Sequence, residues 1–119
     1  MDAIHLRLPY PPSVNHYWSH TRNGTFVRKE GVQYRAAVMA TVLAEFGTPP
    51  HTSDRIGLSV DLVMPDARRR DLGNVLKALC DAMEHAGMYL DDSQIDELHV
   101  VRRHIEPPGC ADVIIQPLK

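Results

Sequence analysis

The change of hydrophobic period in the middle of the chain constrains the fold most. Residues 56–64 alternate between apolar and small or polar side chains, which predicts a β-strand that ends at Pro65. Residues 72–86 then carry an apolar stripe at helical spacing, and Gly87 stands where a left-handed C-terminal residue is expected. A strand, a short loop and an amphipathic helix in succession predict a helix that packs on a sheet.

The rest of the chain supplies three further strands and one further helix. The predicted strands are residues 4–8, 97–105 and 112–116, the predicted helix is residues 34–46, and a turn is predicted at Pro107-Pro108-Gly109. Residues 10–29 are polar and interrupted by prolines, which predicts a long loop. The simplest arrangement is a single α+β domain over residues 1–119, in which one mixed sheet packs with two α-helices in the order β-α-β-α-β-β.

Charge is distributed unevenly along the chain. The formal net charge is −2, which excludes an overall basic nucleic-acid-binding protein of the obvious kind. Residues 1–35 nevertheless carry five basic residues against two acidic ones, whereas residues 81–97 carry six acidic residues and no Lys or Arg. An acidic cluster flanked by basic segments is one way to build a cation site that also accepts a phosphate.

The cysteines and the hydropathy pattern bear on the compartment. Cys80 and Cys110 lie far apart and form no CxxC pair, so a thiolate zinc site is disfavoured, and Cys80 falls on the apolar side of a predicted helix. No signal peptide and no apolar run of membrane-spanning length is recognised. We therefore expect a soluble protein of a reducing compartment, the cytoplasm, with no membrane partner. We separately expect no small-molecule cofactor.

The RRRD loop before the predicted helix 72–86 and the DD pair after it carry the candidate chemistry. Asp71 stands at the start of that helix, and Asp91 and Asp92 stand in the loop that leaves it. Carboxylate oxygens are the ligands that Mg²⁺ prefers, and arginines can bind a phosphate through two hydrogen bonds at once. If the helix and loop ends come close together, these residues form a metal-dependent phosphodiester site.

Each of these residues also has an ordinary structural role open to it. Aspartate is a preferred N-cap residue, so Asp71 alone is also explained as the cap of the helix. A DD pair is common in solvated turns, and an arginine run is common on an exposed loop. Further alternatives are Lys77 as an exposed lysine, Tyr17 and Trp18 as packing anchors rather than base-stacking platforms, and His16 and His20 as loop residues rather than metal ligands. The combination of motifs therefore matters more than any single residue.

Three segments in combination resemble a known family. PPSVNHYW near the start, MPDARRRDLGNVLKALCDAM in the middle and GMYLDDSQIDEL after it resemble the RusA family of phage-derived Holliday-junction resolvases, in order and over nearly the whole chain. The family's middle motif is a basic residue, D-x-D-N and a lysine three residues on, and its loop motif is D-D-x-Q-[IV]. The resemblance implies a small homodimeric endonuclease that uses acidic residues and Mg²⁺, with Mn²⁺ as a substitute, to nick a four-way DNA junction symmetrically.

The resemblance also implies roles for individual residues. By position, Asp71 is the first aspartate of D-x-D-N, Asn74 its asparagine, Lys77 the motif lysine, and Asp91 and Asp92 the loop pair. The implied roles are catalysis by Asp71, Asp91, Asp92 and Lys77, metal binding by the three aspartates, and DNA contact by Arg68, Arg69, Arg70, Lys77, Asn15 and Asn74. A homodimer suits this activity, because a four-way junction has two-fold symmetry and needs paired cuts.

Gly73 is the departure from the family pattern. It occupies the second aspartate of D-x-D-N and offers no side-chain oxygen, so we expect weakened catalysis with fold and DNA binding retained. Two other functions stay open: a junction-binding protein with little nuclease activity, and a scaffold whose arginine loop binds an acidic partner. If the site is built differently, Asp66 and Asp96 are the next carboxylates to consider.

Overall fold

A four-stranded mixed sheet forms the centre of the molecule. The computed structural model describes residues 2–118. The strands are β1 (Ile4–Pro9), β2 (Trp18–Thr21), β3 (Gly24–Val27), β4 (Ile56–Met64), β5 (Ile95–Ile105) and β6 (Cys110–Pro117), and the helices are α1 (Val14–Tyr17), α2 (Lys29–Phe46) and α3 (Leu72–His85). The main sheet has the order β1-β6-β4-β5, and β2 and β3 form a separate hairpin. The predicted α+β class and mixed sheet are confirmed.

The direction of the strands follows from their connections. β6 lies between β1 and β4 and is antiparallel to both, whereas β4 and β5 are parallel. A parallel pair needs a crossover connection, and α3 with its two loops supplies it. As a result, the loop before α3 leaves the carboxyl end of β4, and the loop after α3 enters the amino end of β5.

The two long helices cover one face of this sheet. α2 buries Tyr34, Val38 and Val42, and α3 buries its own apolar stripe against the inward residues of β4. The inward face of β4 is buried along its whole length, as its alternating sequence predicts. Besides Val38, the largest fully buried side chains of this core are Leu6, Leu8, Tyr17, Ile56, Leu58, Leu62, Leu79, Met83, Met88, Tyr89 and Ile115. Such burial of apolar area is the main driving force for this arrangement.

The prediction of a long loop over residues 10–29 is wrong. This segment contains α1 and the β2–β3 hairpin, which pairs residue by residue from Trp18↔Val27 to Thr21↔Gly24. Most hairpin side chains are exposed, so their sequence has no alternation to detect, and the buried Tyr17 anchors the segment from below. The hairpin and α1 are the additions to the predicted arrangement of one sheet and two helices.

Two glycines have conformational or packing roles near the ends of the long helices. α2 begins at Lys29, ahead of the predicted residue 34, and a side chain at Gly31 would lie only 2.6 Å from the Tyr17 carbonyl oxygen. α3 ends at His85, and Gly87 follows with φ of +84°, as predicted for a left-handed C-terminal residue. The turn at residues 107–109 is also confirmed. Among residues 2–118, no helix is long and apolar enough to cross a membrane.

Candidate functional site

A polar stripe runs along the exposed side of α3. Asn74, Lys77, Asp81 and Glu84 follow one another at spacings of three or four residues, which places them on one face of the helix. Asp71 precedes this stripe, and the DD loop follows it. The helix therefore displays candidate functional groups at its start, middle and end.

At its N-terminus, α3 is capped by Asp71. The Asp71 carboxylate accepts a hydrogen bond from the Gly73 backbone N–H at 3.1 Å, so the structural role considered for this aspartate is realised. A side chain at Gly73 would have open space, since its Cβ would meet only the Asp71 carboxylate, at 3.7 Å. Glycine at this position is therefore not required by packing.

The three arginines of the loop have different surroundings. Arg70 donates two hydrogen bonds to Asp66, lies 5.7 Å above the Tyr10 ring, and has a side chain that is only 22% exposed. Its guanidinium lowers the pKa of the Asp66 carboxyl to about 2. In contrast, the Arg68 side chain is 83% exposed, and Arg69 makes no hydrogen bond or ion pair within residues 2–118. Arg70 is therefore engaged within the loop, whereas Arg68 and Arg69 are accessible to a ligand.

The arginine loop forms one wall of a groove with a volume of about 720 Å³. The first turn of α3, the segment leading into α1 and the first half of α2 also line this groove. Its polar lining consists of Tyr10, Ser13, His16, Glu30, Gln33, Arg68, Arg69, Arg70, Asp71 and Asn74. Asn15 is exposed beside the groove, and its backbone carbonyl accepts a hydrogen bond from Arg28. An open groove with several basic side chains suits a phosphate chain.

In the middle of the stripe, α3 contacts α1, α2 and the hairpin. Tyr17 donates a hydrogen bond to the Asp81 carboxylate, and Arg35 donates to the same carboxylate at 2.8 Å. Burial and the neighbouring carboxylate raise the pKa of the Tyr17 hydroxyl. The ammonium group of Lys77 lies 5.4 Å from the centre of the Trp18 ring, within cation–π range. The hairpin therefore contacts the motif lysine through Trp18, and no local pattern in the sequence indicates this contact.

A carboxylate cluster lies beyond the C-terminal end of α3. Oxygen atoms of Glu84, Asp91 and Asp92 lie within 4.8 Å of one another. Glu84 accepts a hydrogen bond from the Asp92 backbone N–H at 2.7 Å, and Asp91 caps the 3₁₀ turn Asp92–Gln94 through Ser93. Burial and the adjacent carboxylates raise the pKa of Glu84, whereas the Ser93 hydrogen bonds lower the pKa of Asp91.

Gln94 fixes the loop that carries this cluster. Its side-chain oxygen accepts hydrogen bonds from the backbone N–H groups of Leu90 and Asp91, each at 2.8 Å. Its side-chain nitrogen donates to the carbonyls of Thr52 and Asp54, at 2.9 and 2.8 Å. Gln94 itself is buried. The glutamine of the D-D-x-Q motif is thus a structural tie between two loops and the start of β5.

The structure separates the three aspartates that the sequence groups into one site. Asp71 lies at one end of α3, while Asp91 and Asp92 lie beyond the other end, and a 14-residue helix is about 21 Å long. The expectation that helix and loop ends bring them together is therefore not met within one chain. Glu84, which the sequence analysis missed, completes the cluster instead. It could have been noticed as the last member of the polar stripe.

The other carboxylates and histidines considered from sequence have partners of their own. Asp66 pairs with Arg70, and Asp96 pairs with Arg55. His16 contacts the Ser13 hydroxyl at 2.7 Å and His20 contacts the Thr25 hydroxyl at 3.1 Å. Cys80 is buried, as predicted.

Exposed carboxylates and a groove lined with arginines lie along one helix of an α+β domain, a combination that suits a protein that handles phosphates. The sequence model of the family "Endodeoxyribonuclease RusA" matches residues 9–114, so the chain belongs to the RusA family. It is 35% identical over 119 residues to the crossover junction endodeoxyribonuclease rusA of Enterobacteria phage HK97, covering 100% of this chain and 98% of that protein. It is 36% identical over 118 residues to the proteins of the same name from Enterobacteria phage 82 and Escherichia coli K12, in each case over 97% of this chain and 95% of the relative.

Proposed function

We propose that this protein is a structure-selective DNA endonuclease that resolves four-way junctions in the cytoplasm. The observation that carries the proposal is the full-length relation to crossover junction endodeoxyribonucleases in a chain that retains a clustered set of carboxylates. The substrate is a four-way DNA junction, and the products are two nicked duplexes.

The carboxylate cluster has the chemistry of a Mg²⁺ site. Glu84, Asp91 and Asp92 would supply hard oxygen ligands, and Mg²⁺ is usually held by one or two carboxylates together with waters and a substrate phosphate. When bound there, the ion would stabilise charge on the phosphodiester and lower the pKa of a coordinated water. Gln94 accepts hydrogen bonds from two backbone N–H groups of this loop, and these contacts would hold the carboxylates in place for the ion.

The chain's own cations would bind and orient the DNA backbone. Arg68 and Arg69 project from the groove wall with accessible guanidinium groups, and Asn74 lines the groove beside them. Lys77 lies on the same helix face, between the groove and the carboxylate cluster. The stripe along α3 would therefore lead a phosphate chain from the arginines towards the carboxylates. Asn15 is exposed and adjoins His16 of the groove lining, so it would also be available to the DNA.

We propose that the active form is a homodimer. Symmetric nicking needs two sites at a fixed separation, and a two-fold dimer supplies them. The separation of Asp71 from Asp91 and Asp92 supports this assignment, because the groups in the family motifs can share one site only if different ends of two α3 helices meet. Asp71 of one copy would then face the Glu84, Asp91 and Asp92 cluster of the other.

Single-turnover cleavage of a four-way junction tests the proposal. Asp92→Asn keeps the shape of the side chain, and the Asp92 carboxylate accepts no hydrogen bond within residues 2–118. We expect this variant to cleave on the order of 100-fold more slowly across a Mg²⁺ titration, a loss typical of a perturbed metal site. Junction binding without metal should change little.

Asp96→Asn is the matched control. It removes an exposed carboxylate four residues further on, whose partner is Arg55, and it should cleave like the parent chain. Equal cleavage by Asp92→Asn and Asp96→Asn would contradict the assigned site. An absence of binding to junctions in preference to duplex DNA would contradict the proposed substrate.

A further inference from the structure

Lys77, the motif lysine of α3, interacts with an aromatic ring rather than with a carboxylate. Its side chain is exposed, and within residues 2–118 it makes no hydrogen bond or ion pair. Its ammonium group lies 5.4 Å from the centre of the Trp18 ring, at the start of the β2–β3 hairpin. A free lysine side chain samples many rotamers, so one attractive contact has a large influence on where its ammonium group lies.

The carboxylate that could pair with Lys77 is engaged elsewhere. Asp81 lies four residues further along α3, a spacing at which opposite charges on a helix can pair. Its Oδ2 atom instead accepts hydrogen bonds from the Tyr17 hydroxyl and, at 2.8 Å, from Arg35. The Arg35 and Asp81 side chains are only 24% and 27% exposed, so this pair is partly shielded from water. The Lys77 ammonium group is therefore directed by the indole ring.

The indole ring is itself held in place. Trp18 pairs with Val27 across the hairpin, and its ring centre lies 4.1 Å from the centre of the Tyr17 ring. Tyr17 is fully buried, and its hydroxyl accepts a hydrogen bond from Arg35 at 2.8 Å. The Tyr17 backbone carbonyl accepts a further hydrogen bond, also at 2.8 Å, from the Arg28 N–H. A flexible lysine side chain thus lies over a ring whose neighbour is anchored to both long helices.

We infer that Trp18 is a positioning residue for the cleavage reaction, which keeps the Lys77 ammonium group on the polar face of α3 between the arginine groove and the carboxylate cluster. The inference rests on the proposed function for the role of Lys77. A ring face suits this task better than a carboxylate, because it attracts a cation without cancelling its charge. Lys77 therefore keeps its full charge for an oxygen atom of the DNA backbone, and Trp18 acts on the reaction only through Lys77.

The lysine side chains report this contact directly, without DNA or metal. The chain has three lysines, Lys29, Lys77 and Lys119, so selective ¹³C labelling gives few NMR signals, and Lys77→Arg identifies the Lys77 signal by its loss. Because the ring current of an indole shields groups above its face, the Lys77 ε-methylene signal should lie upfield of the Lys29 signal. Lys29 is the internal control, since it is exposed and has no ring contact within residues 2–118.

Replacement of the ring should release the lysine. Trp18→Leu should move the Lys77 signal to the position of the Lys29 signal, while an unchanged Lys29 signal shows that the fold is kept. Trp18→Phe retains a ring, disturbs the packing less, and should retain a smaller upfield shift.

Single-turnover cleavage measures the consequence for the reaction. At saturating junction concentration, Trp18→Leu should cleave about two- to fivefold more slowly than the parent, the scale of one exposed cation–π contact, and Trp18→Phe should lose less. Phe26→Leu removes an exposed aromatic ring from the same hairpin and is the matched control, which should cleave like the parent.

Two results would overturn the inference: a Lys77 signal at the position of the Lys29 signal in the parent chain, or cleavage at the parent rate by Trp18→Leu. A parent chain that cleaves no junction would refute the proposed function alone, because the lysine signals would still show whether Trp18 holds Lys77 in place.

Discussion

Asp71 and Asp91 each cap a helical turn, one before α3 and one after it, and their surroundings differ sharply. The Asp71 cap makes one backbone hydrogen bond and borders an open groove, next to a glycine with free space around it. The Asp91 cap belongs to a reciprocal capping box with Gln94, whose amide ties the loop to residues 52 and 54. One end of the helix is loosely built and the other is fixed on several sides.

This difference matches the demands of two kinds of ligand. A cation site needs oxygen atoms at set positions, and a loop tied by four hydrogen bonds of one buried amide supplies them. A DNA backbone is long and adaptable, so exposed arginines on a groove wall can bind it without a rigid frame. We call the loop after α3, which Gln94 ties down, the held end, and the start of α3 at Asp71 the open end. The contrast between these two ends leads to four predictions.

Removing Gln94 should have the largest effect, because it breaks the held end. Gln94→Ala leaves four backbone groups without their partner, and we expect the free energy of unfolding to fall by about 2–4 kcal/mol. Urea denaturation measures it. Asn74→Ala, at the open end, makes the matched comparison and should stay within about 0.5 kcal/mol of the parent, as an exposed substitution does. Similar losses at both positions would remove the distinction between the ends.

Adding a carboxylate should change the chemistry of the open end without changing its fold. Gly73→Asp fits the space around that position, and we expect junction cleavage to rise on the order of tenfold, the scale on which groups at a metal site act. The parent chain should benefit more than the variant from Mn²⁺ in place of Mg²⁺, since Mn²⁺ binds such ligands more tightly.

Gly73→Asn is the control, because it adds the same bulk without the charge. Metal-free junction affinity should change little among the three proteins. A parent chain that already cleaves rapidly, with no gain from aspartate, would show that residue 73 has no part in the site.

Replacement of the loop arginines should reveal two different roles, DNA contact by Arg68 and Arg69 and stabilisation of the loop by Arg70. Arg68→Ala with Arg69→Ala removes two phosphate contacts, so the dependence of log affinity on log salt should flatten by about 1.8, at roughly 0.9 per contact. Arg70→Ala should instead loosen the loop, because Arg70 is engaged with Asp66. Junction gel shifts over a range of salt concentrations distinguish the two. An unchanged slope in the double variant would mean that the loop does not contact DNA.

The smallest effect concerns pH at the same loop. Arg70 lowers the pKa of Asp66 from 3.8 to about 2, so the ionised carboxylate stabilises the folded state at pH values above 3.8. That contribution is lost as the pH falls towards 2. The stability difference between the parent and Asp66→Asn should therefore be constant near neutral pH and shrink in acid, as followed by urea denaturation. A difference that grows in acid would contradict the assigned pair. The pair is exposed, so the effect should be small.

Sequence predicted the parts of the fold whose burial is periodic. β4 and α3 each bury one face regularly, so alternation and helical spacing located both of them. The hairpin over residues 18–27 escaped detection because its side chains are exposed and its anchor, Tyr17, lies outside it. A single buried aromatic residue in a polar segment does not produce the periodic apolar pattern by which strands and helices are predicted.

The candidate site was predictable residue by residue but not in its grouping. Asp91 and Asp92 belong to a recognisable motif, whereas Glu84 joins them only because the chain turns back after Gly87. The assignment of one arginine to structure and two to the surface depends on Asp66 and Tyr10. Such contacts follow from the path of the loops, which local periodicity does not specify.

The order of strands in the main sheet determines when the core can be completed during synthesis of the chain. β1 and β4 are not neighbours, since each pairs with β6, which is made from residues 110–117. While the ribosome is still producing β5, the first strand has no sheet to join, and β4 can pair only with the strand that follows α3. Completion of the core must therefore wait for β6, and until then apolar faces of β1 and β4 are available to chaperones.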